Sequence, residues 1–234
     1  MESLTTNLKL LRDRIDKRSR EWGRDPKTVN LLAVSKTQNL EKITEALEAG
    51  IRFFGENRVQ EASSHWKDLR QTYPDLRLHL IGPLQTNKVK EAVALFDGIE
   101  TIDRPNLAEA LQKEMIKQNR NLTCFIQVNT GAEPQKSGVT IADLPALLTL
   151  CQEIGLSISG LMCIPPAQEP AGLHFALLRK LAKQNNLSEL SMGMSGDFET
   201  AIQAGATIVR IGTALFGERE QEPTPYATES RLEI

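Results

Sequence analysis

Cysteine is scarce in this sequence, aromatic residues are few, and neither sign of charge prevails. The three cysteines, Cys124, Cys151 and Cys163, form no CxxC pair and no cluster with histidine. That spacing argues against a structural zinc site or any other metal centre, and an odd number does not suggest a disulfide framework. All three lie in or beside apolar segments, where a thiol packs as a small hydrophobe. Such usage fits a reducing compartment, the cytoplasm. Lys plus Arg (28) nearly cancels Asp plus Glu (30), which disfavours a general nucleic-acid surface. No apolar run approaches a membrane span. The opening residues MESLTTNLKLLRDR lack the apolar core of a secretory signal. Neither GxGxxG nor GxxxxGKS/T occurs, so two common nucleotide-binding turns are missing.

What is present is ordinary globular composition, 40 % hydrophobic and 25 % charged over 234 residues. Leu8, Leu11 and Ile15 recur at helical spacing within 7–22, which predicts an N-terminal helix. From residue 30 short β-rich runs alternate with amphipathic stretches. The runs cover 30–34, 51–54, 76–81, 98–102, 122–128, 157–163, 189–192 and 207–211. Between them, Leu40, Ile43 and Leu47 share one helical face, as do Leu107, Leu111 and Met115. Gly50, Gly155 and Gly205 follow helical patterns at C-cap positions. Strand–helix alternation implies parallel strands joined by crossovers. Eight such units in a chain of this length match a single (β/α)8 barrel, a TIM barrel of the α/β class. A doubly wound open sheet is the competing arrangement. The last strand has no clear helix after it, so the N-terminal helix is expected to cover the barrel there. The barrel domain is placed at 1–217, with the N-terminal helix inside 1–25, and a polar tail at 218–234.

A parallel barrel keeps its chemistry at the carboxyl ends of its strands. Lys36 follows the first run directly. An ammonium there is desolvated unless paired, and desolvation turns a lysine into a nucleophile for carbonyls. Rim lysines that simply snorkel to water are common, however. The seventh and eighth runs end in Gly193-Met194-Ser195-Gly196 and Gly212-Thr213. Loops at these two positions often hold phosphate, with backbone N–H groups and hydroxyls as donors. A carbonyl-reactive lysine facing a phosphate cradle suits pyridoxal 5′-phosphate, and suits a sugar-phosphate aldolase equally well.

AVSKT (33–37), FGENRVQE (54–61), HLIGPLQTNK (79–88), QKSGV (135–139), LSMGMSGD (190–197) and VRIGTALFG (209–217) occur in that order. Together they resemble the pyridoxal phosphate homeostasis protein family, also called YggS or PROSC-like, over roughly residues 5 to 220. The resemblance implies one barrel similar to the N-terminal domain of alanine racemase. It implies that Lys36 forms an internal aldimine with pyridoxal 5′-phosphate, that Ser195, Gly212 and Thr213 bind the phosphate, and that Arg210 faces the pyridine nitrogen. Asn57 would line the same pocket, His79 and Ile81 would lie near the ring, and Met194 would supply wall contacts.

It further implies a binding protein of intracellular vitamin B6 and amino-acid homeostasis without an established reaction. A cation at the ring nitrogen weakens the electron sink of pyridoxal chemistry. A racemase also needs a second base on the opposite face of its substrate. In the resembling racemases that base is a tyrosine from a further β domain, for which 218–234 leaves no room, and neither Tyr73 nor Tyr226 is an evident substitute. The alternative is a low-activity, racemase-like pyridoxal enzyme. A ligand-dependent regulatory module, with Lys88, Lys90 and the basic N-terminal helix as contacts, is a further one. The expected partners are the vitamer, pyridoxal-dependent apo-enzymes and amino acids, with no membrane and no nucleic acid, and the expected state is a monomer. Lys136, near the mouth, is a candidate for holding a second cofactor molecule.

Overall fold

The computed structural model describes residues 3–217. The tail 218–234, and Tyr226 with it, lies outside the described residues. The first element is α1 (Leu4–Glu21), which begins ahead of position 7 because Ser3 caps it, its Oγ accepting the Thr6 N–H at 3.2 Å. Eight strands follow: β1 (Asn30–Val34), β2 (Phe53–Glu56), β3 (Arg77–Leu80), β4 (Gly98–Ile102), β5 (Thr123–Gln127), β6 (Ile158–Met162), β7 (Glu189–Ser191) and β8 (Ile208–Ile211). They alternate with α2 (Leu40–Glu48), α3 (Val59–Thr72), α4 (Val89–Leu95), α5 (Pro105–Gln118), α6 (Leu144–Glu153), α7 (Ala171–Gln184), α8 (Phe198–Ala204) and α9 (Thr213–Phe216). Each strand pairs in parallel with the next, and β8 returns to β1 to close the barrel. This is the α/β barrel of the alternating pattern, not an open doubly wound sheet.

Two-residue alternation divides the core into two clusters. Leu32, Val34, Phe53, Ile81, Phe125, Met162 and Ile208 form one, inside the barrel. Their chain neighbours Ala33, Phe54, Ile126, Leu161 and Val209 belong to the other, between strands and helices. Gly50, Gly155 and Gly205 all take positive φ at helix ends. The second strand lies later than its apolar run suggests. Gly55 and Glu56 pair with His79 and Leu80 of β3, whereas Ile51 closes the turn after α2 by donating its N–H to the Ala46 carbonyl at 3.0 Å.

Among the described residues, β8 is followed by the four-residue α9 alone. The vacant flank is filled by α1, whose Asn7 Nδ2 donates to the Leu215 carbonyl at 3.1 Å and whose Arg14 pairs with Glu199 of α8 at 2.8 Å. Leu11 of α1 is 2 % exposed, and its neighbour Leu10 is 49 % exposed. Leu11→Ala is therefore expected to cost about 2–5 kcal/mol in urea unfolding. Leu10→Ala should change stability by less than about 0.5 kcal/mol. Equal effects of the two substitutions would contradict this account of α1.

Candidate functional site

The carboxyl ends of the strands enclose a cavity of about 520 Å³. Lys36, Asn57, Ile81, Met194, Ser195, Arg210, Gly212 and Thr213 all line it. The exception among the residues singled out from the sequence is His79. It is buried inside the barrel, with its Nδ1 2.8 Å from Glu100 Oε1 and its ring edge-on to Phe53 at 4.6 Å between centroids. Residues 79 and 81 share the inward face of their strand, but only Ile81, one layer higher, reaches the cavity. His79 thus lies beneath the cavity and outside its lining. Gln127, Asn129, Lys136 and Ser137 complete the far wall. Gln127 belongs to β5, and its burial among apolar neighbours hides it from an apolar-run reading.

Lys36 leaves the barrel from a firmly held strand end. Ser35 donates its N–H to the Gly55 carbonyl at 3.1 Å and its Oγ–H to Glu56 Oε1 at 2.6 Å. The same Oε1 accepts the indole N–H of Trp66 at 3.1 Å, and Trp66 is fully buried. Burial pushes the Glu56 carboxyl up from its ordinary value, and the charge of Glu61 adds to this, while the bonds from Ser35 and Trp66 pull it down. Immediately after Lys36, Thr37 takes φ 64. A β-branched residue in the left-handed region is strained, and such strain gathers at functional sites.

Across the mouth, the turn after β7 is shaped by Gly193, at φ +92, where a Cβ would lie 2.5 Å from that of Ala201. Asp197 Oδ1 accepts the Met194 N–H at 2.6 Å, and Ser195 Oγ accepts the Ala214 N–H at 3.2 Å. The second bond ties this turn to α9. The N–H groups of Ser195 and Gly196 donate to no acceptor among the described residues. With the Thr213 hydroxyl they offer an oxyanion several donors from two adjoining turns. Arg210 forms the floor. It is 3 % exposed, and its two Nη groups donate to Ser191 Oγ and to the Cys163 carbonyl, both at 2.8 Å. The charged groups lining the cavity are Lys36, Lys136 and Arg210, with no carboxylate among the described lining residues, so an anion is favoured there. Lys136 Nζ is held 2.7 Å from Glu133 Oε2.

The other chemistry-bearing residues are occupied elsewhere. Burial pushes Cys124 and Cys163 up to about 12 and Cys151 to about 11, which makes these thiols inert packing groups. Tyr73 ends α3 under the guanidinium of Arg52, 5.0 Å from its ring centroid. Among the described residues no three His, Cys, Asp or Glu side chains gather in a metal-binding group, and no helix is long and apolar enough to cross a membrane.

The raised carboxyl beneath Ser35 carries a signed consequence. The folded state holds the Glu56 proton more tightly than the unfolded chain, so its contribution is greatest at low pH and declines as pH rises above the ordinary value of about 4.3. Compared with Glu56→Gln in urea unfolding across a pH series, the native protein should lose relative stability as pH rises from there, then level off. Parallel stability curves would contradict the burial effect.

Comparison with known proteins agrees with this geometry. The family model described as alanine racemase, N-terminal domain, matches residues 2–220. The pyridoxal phosphate homeostasis protein of Vibrio cholerae is 42 % identical over 231 residues, spanning 94 % of this chain and 98 % of the relative. The structure of PipY from Synechococcus elongatus with PLP bound superposes with a TM-score of 0.80 at 38 % identity, covering 92 % of this chain and all of that one (100 %). Alanine racemase of Clostridium difficile shares the fold at a TM-score of 0.68 and 12 % identity, over 94 % of this chain and 57 % of the racemase. With the barrel, the mouth and these relatives in agreement, the chain belongs to the pyridoxal phosphate homeostasis protein family, built on the alanine racemase N-terminal barrel.

Proposed function

We propose that this protein holds pyridoxal 5′-phosphate at the barrel mouth, covalently through Lys36, and acts as a carrier or buffer in intracellular vitamin B6 and amino-acid balance rather than as an enzyme. The observation that carries the reading is the meeting of Lys36, the Ser195–Gly196 and Gly212–Thr213 turns, and Arg210 around one cavity. The donor set fits each end of the cofactor. Lys36 would hold the aldehyde end, its amine condensing there with loss of one water. The two turns receive the phosphate, and Ser195 Oγ, already accepting from Ala214, keeps its own hydrogen to donate. Arg210 cannot give up its proton, so it presents N–H to the ring nitrogen and requires that nitrogen to accept. Asn57 and Ile81 flank the ring, and the half-exposed Met194 forms the outer wall.

When bound, the cofactor would supply reversible carbonyl–amine exchange. The chain contributes a mouth open enough for other amines to enter and a floor that discourages carbanion chemistry. Lys136, the other amine in the cavity wall, lies against Glu133. The names of the curated relatives and the PLP-bound PipY structure support the same ligand.

Borohydride reduction of the loaded protein followed by mass mapping is expected to place one pyridoxyl group on Lys36. Lys36→Ala should lose both the label and the visible absorbance band. A label on another amine, or an unchanged spectrum in Lys36→Ala, would remove the assignment. Ser195→Ala and Thr213→Ala should each weaken cofactor binding by roughly ten- to a hundredfold, as expected for bonds to a charged group. Exchange of amino-acid α-protons for deuterium that depends on Lys36 would replace the carrier reading with the racemase-like one.

A further inference from the structure

In the run Gly-Ile-Glu-Thr-Ile that forms β4, Glu100 is fully buried, with no exposed surface. A carboxylate inside a barrel is costly unless it is paired. Both of its oxygens are engaged. Oε1 lies 2.8 Å from His79 Nδ1, and Oε2 accepts the Ser191 Oγ–H at 2.5 Å. Ser191 in turn accepts from Arg210 Nη1 at 2.8 Å. The direction of the two bonds at Ser191 follows from the donors. Arg210 can only donate, so Ser191 Oγ accepts there and spends its single hydrogen on Glu100. Glu100 Oε2 therefore accepts from Ser191, and Oε1 shares one hydrogen with His79 Nδ1.

The surrounding residues hold this chain in one arrangement. The imidazole stands edge-on to Phe53 and 6.4 Å from the Phe125 ring centroid. At Gly98 a Cβ would meet His79 Nε2 at 2.5 Å, so the ring occupies the space a side chain would need. Arg210 Nη2 is fixed independently on the Cys163 carbonyl. Three strands besides β8 therefore converge on one guanidinium: β7 through Ser191, β4 through Glu100 and β3 through His79.

We infer that Glu100 is a positioning residue for the cavity floor: acting through Ser191, it holds Arg210 in place and offsets its charge, and so sets the electronic state of a pyridine ring seated above. This rests on the reading that a pyridoxal-type ring occupies the cavity. The cavity walls carry Lys36, Lys136 and Arg210, and Lys136 has its own carboxylate in Glu133. Without Glu100, the floor would present an uncompensated cation to the ring, and a proton held on the bound chromophore would be less favourable. Glutamine in the same space would remove the charge and keep one acceptor, with an amide N–H2 in place of the other.

The test uses the loaded protein and two variants, Glu100→Gln and Ser191→Ala, the second of which cuts the link while leaving the carboxylate. The readout is the pH midpoint of the bound chromophore's absorbance. The same titration is repeated with 4′-deoxypyridoxine 5′-phosphate, which keeps the ring and phosphate but has no aldehyde for Lys36. Glu100→Gln is expected to lower the midpoint by about one unit with both ligands. Ser191→Ala should move it the same way, while inorganic phosphate binding stays within about twofold. An unchanged midpoint in folded Glu100→Gln overturns the inference, and should that variant not fold, an unchanged midpoint in Ser191→Ala does so. If the native protein takes up neither ligand, the site reading fails and the inference with it. If it binds both and the variants titrate identically, only the role of Glu100 fails.

Discussion

The pairing of the first strand with the last governs the site. Leu32 lies opposite Arg210 and Ala33 opposite Ile211, so the two strands end side by side although nearly the whole described chain separates them. Lys36 leaves one of these ends, and Gly212 and Thr213 leave the other. The spacing between Lys36 and the Gly212–Thr213 turn is therefore set by a backbone ladder, not by flexible side chains. Such a ladder is expensive to close, because a contact between distant segments must overcome the entropy of the loop between them. The seven intervening units make closure possible, each pairing with the next and covering the sheet with its own helix.

The N-terminal helix belongs to the same economy of closure. The last strand is followed by a helix too short to cover it, and α1 lies over α8 and α9 instead. The Arg14 hydrogen bond, ahead of the contribution of Arg18, holds the Glu199 carboxyl below its usual range, even though partial burial opposes it. Glu199 lies in the first turn of α8, the helix that begins just after the Ser195 turn. The first helix thus buttresses the side of the mouth formed by the Ser195 turn and α9.

Much of this arrangement is legible in sequence because parallel barrels advertise themselves. Buried strands appear as short apolar runs, and the barrel rule turns their ends into a site. Lys36, Ser195 and Thr213 were accessible to that reasoning because they follow such runs. The shift of β2 was not, because Gly55 and Glu56 look like turn residues until their partners in β3 are known. The depth of His79 below Ile81 is hidden for a related reason: strand spacing fixes the face of a side chain and not its depth. Glu100 and Ser191 left no recognisable signal. Their bond joins positions 91 residues apart, and only closure and register bring them together.

Two buried carboxylates now take complementary places. Glu56 receives hydrogen bonds from neutral donors, the Ser35 hydroxyl and the Trp66 indole, and burial drives its proton affinity up. Its influence is mechanical, since the bond to Ser35 fixes the backbone from which Lys36 departs. Glu100 lies in a chain that reaches His79 on one side and, by way of Ser191, the guanidinium of Arg210 on the other. Its influence is electrostatic as well as geometric, because a guanidinium cannot be neutralised by losing a proton and must be balanced from outside. One carboxyl steadies the strand end that bears Lys36, and the other lies behind the guanidinium on the cavity floor. Neither lines the cavity, so the mouth can remain wholly cationic toward an anionic ligand while the barrel interior beneath it carries the compensating charge.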